Sequence, residues 1–247
     1  MKSNTILCIP RSEATRRAGE YLSEMGLHVT QKGAPDVTHI LLPVPSFPAG
    51  DGYLAHILAD VPEEVIISGG NLSSLLLQNY TTVDFLQDPY YLAENASITA
   101  SCAQKIIVQE LGGKASNCKI LILGWGRIGK CLCRLFEKDG ASVTVAVRKD
   151  SDRAMIRALG CRGISIADAA YEIGHYDIII NTVPEMLFPN INSRKGAILM
   201  ELASKPGMSG KDILNCRGLP SKMAPAESGK LIAKTFLRLS LKTRCEL

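Results

Sequence analysis

The chain is poor in aromatic residues, which make up 5% of it with a single tryptophan, and it holds only four histidines. No Lys/Arg cluster alternates with aromatics. The charge balance, 28 Lys plus Arg against 24 Asp plus Glu, leaves a net +4 over 247 residues. That pattern argues against a nucleic-acid partner. No apolar run approaches the ~20 residues that span a bilayer, so no membrane partner is expected. Met1-Lys2-Ser3-Asn4 leads straight into a strand pattern without the apolar stretch of a signal peptide, and a cytoplasmic location is expected. The eight cysteines form no Cys-x-x-Cys, and no histidine stands at a zinc-ligand spacing from them. They read as reduced core filler, and no metal is expected. What remains is an ordinary globular composition, 46% apolar and 21% charged, long enough for one or two domains without staples.

Short apolar runs alternate with helical spacing along the whole chain. In the first half, strands are expected at residues 5–9, 37–44, 65–67 and 81–86, with helices over 12–25 and 72–77. A Pro- and Gly-rich loop covers 46–52. Asp88-Pro89 reads as a break, and 96–111 as a connecting helix. The second half predicts strands at 119–123, 142–147, 163–166, 177–182 and 197–202. Helices are expected from the 124–129 turn through Phe136, over 155–159 and 167–173, and over 231–241. Buried strands alternating with helices predict an α/β fold of two domains. Residues 1–95 are expected to form a small flavodoxin- or Rossmann-like α/β domain. Residues 96–225 are expected to form a doubly wound Rossmann domain, entered by the connecting helix. The closing helix in 226–247 is expected to pack back on the first domain.

The strongest local signal is Gly124-Trp125-Gly126-Arg127-Ile128-Gly129 between a buried strand and an amphipathic helix. Gly-x-Gly-x-x-Gly alone is unspecific, but in this context it predicts a dinucleotide turn. Gly124 permits the sharp bend, Gly126 the approach of a diphosphate, and Gly129 the close packing of helix on strand. The helix amides then favour the anion. At the end of the next strand, where NAD-binding domains carry a carboxylate, stand Val147-Arg148-Lys149. A guanidinium there can grip a 2′-phosphate with two hydrogen bonds, so NADP(H) is expected over NAD(H). Two alternatives stay open: a solvated basic loop, or Asp150 in the acidic role. Asn181-Thr182-Val183-Pro184 and Leu202-Ala203-Ser204-Lys205-Pro206-Gly207 close later strands on the carboxyl edge, where cofactors lie.

The two-domain order resembles the D-2-hydroxyacid dehydrogenases, which use a His with a carboxylate and a substrate-binding Arg. Here the late segment reads Met223-Ala224-Pro225-Ala226-Glu227 without a His, and Lys205 stands at the Arg position, which argues against that mechanism. A different family fits better. Ile122 to Gly129, Val145 to Arg148, Ile180 to Pro184, Leu202 to Gly207, and Gly218-Leu219-Pro220 with Ala224-Pro225 resemble the dipicolinate synthase A family. So do Leu42-Pro43-Val44, Gly50-Asp51-Gly52, Ile67-Ser68-Gly69, and Asn95-Ala96 with Thr99-Ala100, in the same order. The resemblance implies an NADP-linked oxidoreductase acting in sporulation on a dihydro- or tetrahydrodipicolinate-type cyclic dicarboxylate. It also implies a partner, the flavoprotein-like second subunit of that synthase, and a homo-oligomer is expected. A dicarboxylate needs cationic or amide anchors. Lys205 and the Ser68-Gly69-Gly70 turn suit that need, with Pro43, Val44, Thr99 and Pro225 beside the substrate and Lys205 and Ser101 as catalytic candidates. Two departures stand out. Where the family carries Gly-Gly-Asp-x-Arg, this chain has Ile9-Pro10-Arg11-Ser12-Glu13, and Ser101 replaces a family Glu. They keep a second reading open, a diverged NADP-binding subunit or sensor without turnover.

Overall fold

A computed structural model of the protein describes residues 4–47 and 50–241. It divides into two compact units: residues up to Ile98 together with those from Pro220 onward, and Thr99–Leu219. The divisions fall after Ile98 and Leu219 rather than after 95 and 225.

The first unit opens with β1 (Thr5–Cys8), α1 (Glu13–Glu24), β2 (His28–Thr30), β3 (Val37–Leu41), α2 (Leu54–Ala59), β4 (Ile66–Gly69) and β5 (Thr81–Asp84). The strands form one parallel sheet in the order β2-β1-β3-β4-β5, the flavodoxin-type order. Strand side chains alternate between faces. Ile6, Cys8 and Leu41 enter one core cluster with Ala14, Ala18 and Leu22 of α1, while Leu7, Ile40 and Leu42 enter another with Leu54 and Ile67. The Ser12 hydroxyl accepts from the Thr15 amide at 3.1 Å and so starts α1.

Several expectations in this half need correction. Residues 72–77 hold only a 3₁₀ turn, Leu75–Leu77, where a helix is expected. The strand expected over 37–44 stops at Leu41, and that over 81–86 stops at Asp84. Asp84 accepts from the amides of Asn71, Leu72 and Leu86, which turns the chain out of the sheet. Asp88-Pro89 starts a helix rather than breaking one, because the Asp88 carboxylate accepts from the Tyr91 amide at 2.7 Å and proline suits a first helical position. The resulting α3 (Pro89–Leu111) runs from one unit into the other.

The second unit comprises β6 (Lys119–Leu123), α4 (Arg127–Lys138), β7 (Ser142–Val147), α5 (Asp150–Ala158), β8 (Arg162–Ser165), α6 (Ile166–Glu172), β9 (Ile178–Asn181), β10 (Ile198–Glu201) and β11 (Ile213–Asn215). All six strands are parallel in the order β11-β10-β9-β6-β7-β8, the doubly wound Rossmann order. The order reverses between β6 and β9, which places a crevice at their carboxyl ends. Residue 166, expected to end a strand, begins α6 instead, since Ser165 and Asp168 make a reciprocal capping box.

The chain then returns to the first unit through α7 (Leu219–Met223) and α8 (Pro225–Leu239), which starts earlier than the expected 231 because Pro225 occupies its first turn. Leu231, Ile232, Phe236 and Leu237 of α8 complete the core cluster under α1. The two helices touch at Gly229, where a Cβ would stand 2.8 Å from the Ala14 carbonyl oxygen. Among the described residues no helix is long and apolar enough to cross a membrane.

Candidate functional site

The turn between β6 and α4 sits at the reversal point of the second sheet. Gly124 has φ +103°, and its amide donates to the Ala146 carbonyl at 3.0 Å. A side chain there would be strained by the backbone and would also stand 2.6 Å from Thr182 Oγ1. A Cβ on Gly129 would overlap the Gly124 carbonyl oxygen, so helix and turn close only around glycine. Gly126 differs. Its backbone is extended (φ −74°, ψ −172°), and a Cβ there would meet no protein atom within 4 Å. No side chain caps the start of α4, although the Lys130 amide already donates to the Gly126 carbonyl at 3.0 Å.

In front of this turn lies a groove of about 240 Å³. Gly124, Trp125 and Gly126 form one wall, Ile166, Val183 and Leu187 the apolar side, and Arg148, Lys149 and Asp152 the charged end. Arg148 is 70% exposed, and its Nη1 donates to Glu185 Oε2 at 2.8 Å. Arg153 donates to the carbonyl of Arg148 at 3.1 Å and pairs with Asp150. Asp150 is not among the groove residues; the carboxylate that lines the groove is Asp152, half-buried in the first turn of α5. Sequence reading missed Asp152, Ile166 and Leu187. A wall residue one helix further on carries no local signal, whereas Asp152 stands within a few residues of the strand end.

The neighbouring strand ends are locked by one buried carboxylate that sequence reading also missed. Glu201, with 0% exposure, accepts from Asn181 Nδ2 (2.8 Å) and the Ala203 amide (3.0 Å) on one oxygen. Its other oxygen accepts from the amides of Gly207 (2.8 Å) and Met208 (3.3 Å). Asn181 also accepts from the Val183 amide at 3.0 Å and donates to its carbonyl at 2.9 Å. Thr182 Oγ1 donates to the Leu123 carbonyl at 2.8 Å. The loops after β9 and β10 are therefore held as one piece, with Pro184, Ser204 and Lys205 exposed on it and Ala203 buried. In α3, Thr99 is buried and Ser101 half-buried.

The remaining candidates belong to the first unit, where most are committed internally. Ser46 Oγ donates to the Pro43 carbonyl at 2.8 Å and accepts from the Gly70 amide at 3.0 Å. Ser68 has 0% exposure, and its hydroxyl bonds that of Ser240 at 2.7 Å. Gly69 and Gly70 are buried, and Cβ atoms there would strike Ser46 and Val44. Val44 and Pro225 are half-buried. Nearby, His39 packs edge-on to Phe236 at 5.8 Å, and burial pulls its imidazole below the usual histidine range. The predicted residues thus form two groups. Gly124, Trp125, Gly126, Arg148, Lys149 and Val183 meet in one groove beside Asn181, Thr182 and Ala203. Pro43, Val44, Gly69 and Gly70 gather around Ser46 within the other unit.

No protein-family model and no curated protein matches the chain. Solved structures do. Dipicolinate synthase A from Bacillus halodurans is similar with a TM-score of 0.79 at 21% identity, over 96% of this chain and 98% of that one. The corresponding dipicolinate synthase polypeptide from Bacillus subtilis gives 0.78 at 19%, over 98% and 97%. A transhydrogenase from Sinorhizobium meliloti gives 0.66 at 18%, over 88% and 79%. What is shared is the fold, two parallel α/β sheets in tandem along nearly the whole chain.

Proposed function

We propose that the chain is an NADP-dependent oxidoreductase like dipicolinate synthase A, moving a hydride between NADP(H) and a dihydro- or tetrahydrodipicolinate-type dicarboxylate. The observation that carries the cofactor reading is Gly126. Gly124 and Gly129 are glycines for reasons inside the protein, whereas Gly126 has an ordinary backbone and open space before it. A side chain at that position would obstruct only a molecule lying over the uncapped start of α4, where helix amides favour a diphosphate. When bound, the nicotinamide ring would supply the hydride acceptor or donor. Arg148 supports a 2′-phosphate partner: its pairing with Glu185 is between two exposed side chains and worth about 0–1 kcal/mol, little against a bidentate phosphate contact. Asp152 in the same groove makes NADH the natural competitor. The substrate class comes from the dipicolinate synthase neighbours; Lys205 and Ser204, presented on the loop that Glu201 holds, would anchor a carboxylate, with Ser101 as positioning residue.

Trp125 is the only tryptophan and lines the groove, so its emission reports binding directly. Titration should quench it with NADPH at lower concentration than with NADH; tighter NADH binding refutes the NADP reading. Gly126→Ala should keep the melting temperature and weaken NADPH binding at least about tenfold, some 1.4 kcal/mol. Unchanged affinity in that variant removes the groove from consideration. A second reading, a dinucleotide-binding protein without turnover, draws support from Ser68 and Gly70, whose polar groups are engaged within their own unit. Tight NADPH binding decides for it if no nicotinamide absorbance change follows in either direction, with NADP⁺ plus dihydro- or tetrahydrodipicolinate or with NADPH plus tetrahydrodipicolinate.

A further inference from the structure

Helix α4 carries Cys133 and Glu137 one turn apart, on the same face. That face meets Cys161, which follows the turn closing α5 and precedes β8. Cys133 Sγ lies 2.6 Å from Cys161 Sγ, and Cys161 Sγ donates to Glu137 Oε1 at 2.9 Å. The three ligating atoms all lie within 4.8 Å of one another. The thiols are 3% and 7% exposed, while Glu137 reaches solvent.

We propose that Cys133, Glu137 and Cys161 form a binding site for a thiophilic divalent cation of the zinc class, with water in the fourth position. Two sulfurs and a carboxylate oxygen are donors that zinc accepts, and three protein ligands leave a tetrahedral cation one position open on the solvent side of Glu137. In the binding step two metal–sulfur bonds and one metal–oxygen bond form, and two thiol protons leave to solvent. Nothing is oxidised. Sulfurs on one zinc stand about 3.7 Å apart, given bonds of about 2.3 Å, so the thiols must part by about 1 Å, a small side-chain rotation. A disulfide is the rival use of two close sulfurs, but it gives Glu137 no part, and burial shields both thiols from oxidants. The spacing explains why sequence reading passed over the group: two ligands on one helix and a third beyond the next strand and helix make no compact motif. A bound cation would tie α4 to the α5–β8 turn within one unit, independently of any cofactor reading.

The test is a titration of the reduced full-length protein with Co²⁺ under argon. The expected result is a thiolate-to-cobalt charge-transfer band saturating at one metal per chain, two protons released per metal, and displacement by Zn²⁺. Cys161→Ser should at least halve the band, and Cys133→Ser combined with Cys161→Ser should abolish it. Glu137→Gln, at an exposed position that leaves the core alone, should keep the band but weaken affinity at least roughly 10–100-fold, the loss seen when even an outer partner of a ligand is removed. Absence of the band in the unaltered protein overturns the proposal, as does undiminished affinity in Glu137→Gln. A mass lower by two hydrogens without reductant, mapping to Cys133–Cys161, overturns it in favour of a disulfide.

Discussion

Glu201→Gln changes one atom at the centre of the second unit and should destabilise it severely. In the native arrangement both carboxylate oxygens act only as acceptors, facing Asn181 Nδ2 and the amides of Ala203, Gly207 and Met208. Glutamine replaces one acceptor by an NH₂ donor. Whichever way the amide is turned, two hydrogen bonds are lost and donor faces donor. Hydrogen bonds to a charged group contribute roughly 1.5–3 kcal/mol each, so two amount to about 3–6 kcal/mol. Part of that is offset because a neutral amide is cheaper to bury than a carboxylate. The net expectation is about 2–4 kcal/mol. For a unit of this size that corresponds to a melting temperature lower by about 10 °C. Trp125 lies in the same unit and is the only tryptophan, so urea unfolding followed by its emission reads that unit alone. Lys205→Ala, on the exposed part of the same loop, is the control and should stay within about 0.5 kcal/mol. If Glu201→Gln matches that control, the carboxylate does not organise the loops and the account of the strand ends fails.

Arg148→Glu should reverse the cofactor preference, read as the ratio of NADPH to NADH affinity from Trp125 quenching, because a phosphate grip becomes repulsion. Gly229→Ala should cost about 1–3 kcal/mol, since the added Cβ meets the Ala14 carbonyl oxygen, a backbone atom that cannot rotate away; an unchanged denaturation midpoint contradicts the close crossing of α1 and α8. His39 is buried with its folded pKa pulled down, so the unfolded chain binds its proton more readily. Its share of stability is therefore fully present above about pH 6.5 and declines as the pH falls through the window below it. Melting temperatures taken from pH 8 to 5 should converge between the unaltered protein and His39→Gln as acid is approached; a constant gap speaks against it.

The doubly wound half was legible where burial is two-sided. Ile120–Leu123 of β6 and Ile178–Ile180 of β9 are unbroken apolar runs, β7 is buried from Val143 to Val147, and the close packing at Gly124 and Gly129 is what such a turn demands of glycine. Elements with one foot in solvent were not legible. β2 and β11 are three-residue edge strands, too short to show an alternation, and α2 is short and carries only one buried residue, Leu54. Asp88-Pro89 was misread because the same dipeptide that ends a helix also starts one, and only the Tyr91 amide on the Asp88 carboxylate decides which. The charged end of the groove was located at Arg148 and Lys149, but not the Glu185 partner of Arg148, which arrives from the far side of the reversal point. Glu201 could not have been found at all. A glutamate closing an apolar strand reads as the first exposed residue, and its four donors come from another strand and from a loop whose path no local pattern describes.

The route of the chain has a temporal meaning. α8 lies under α1 against the first sheet, yet every residue of the second unit is synthesised before it. While the ribosome works through the middle of the message, Ile6, Cys8 and Leu41 have α1 to pack on but lack the α8 part of their cluster. The second unit, one uninterrupted stretch, can close as it emerges. β1 and β3 are thus made before the second unit and finished after it, and a stop codon ahead of Pro225 would leave them permanently half dressed.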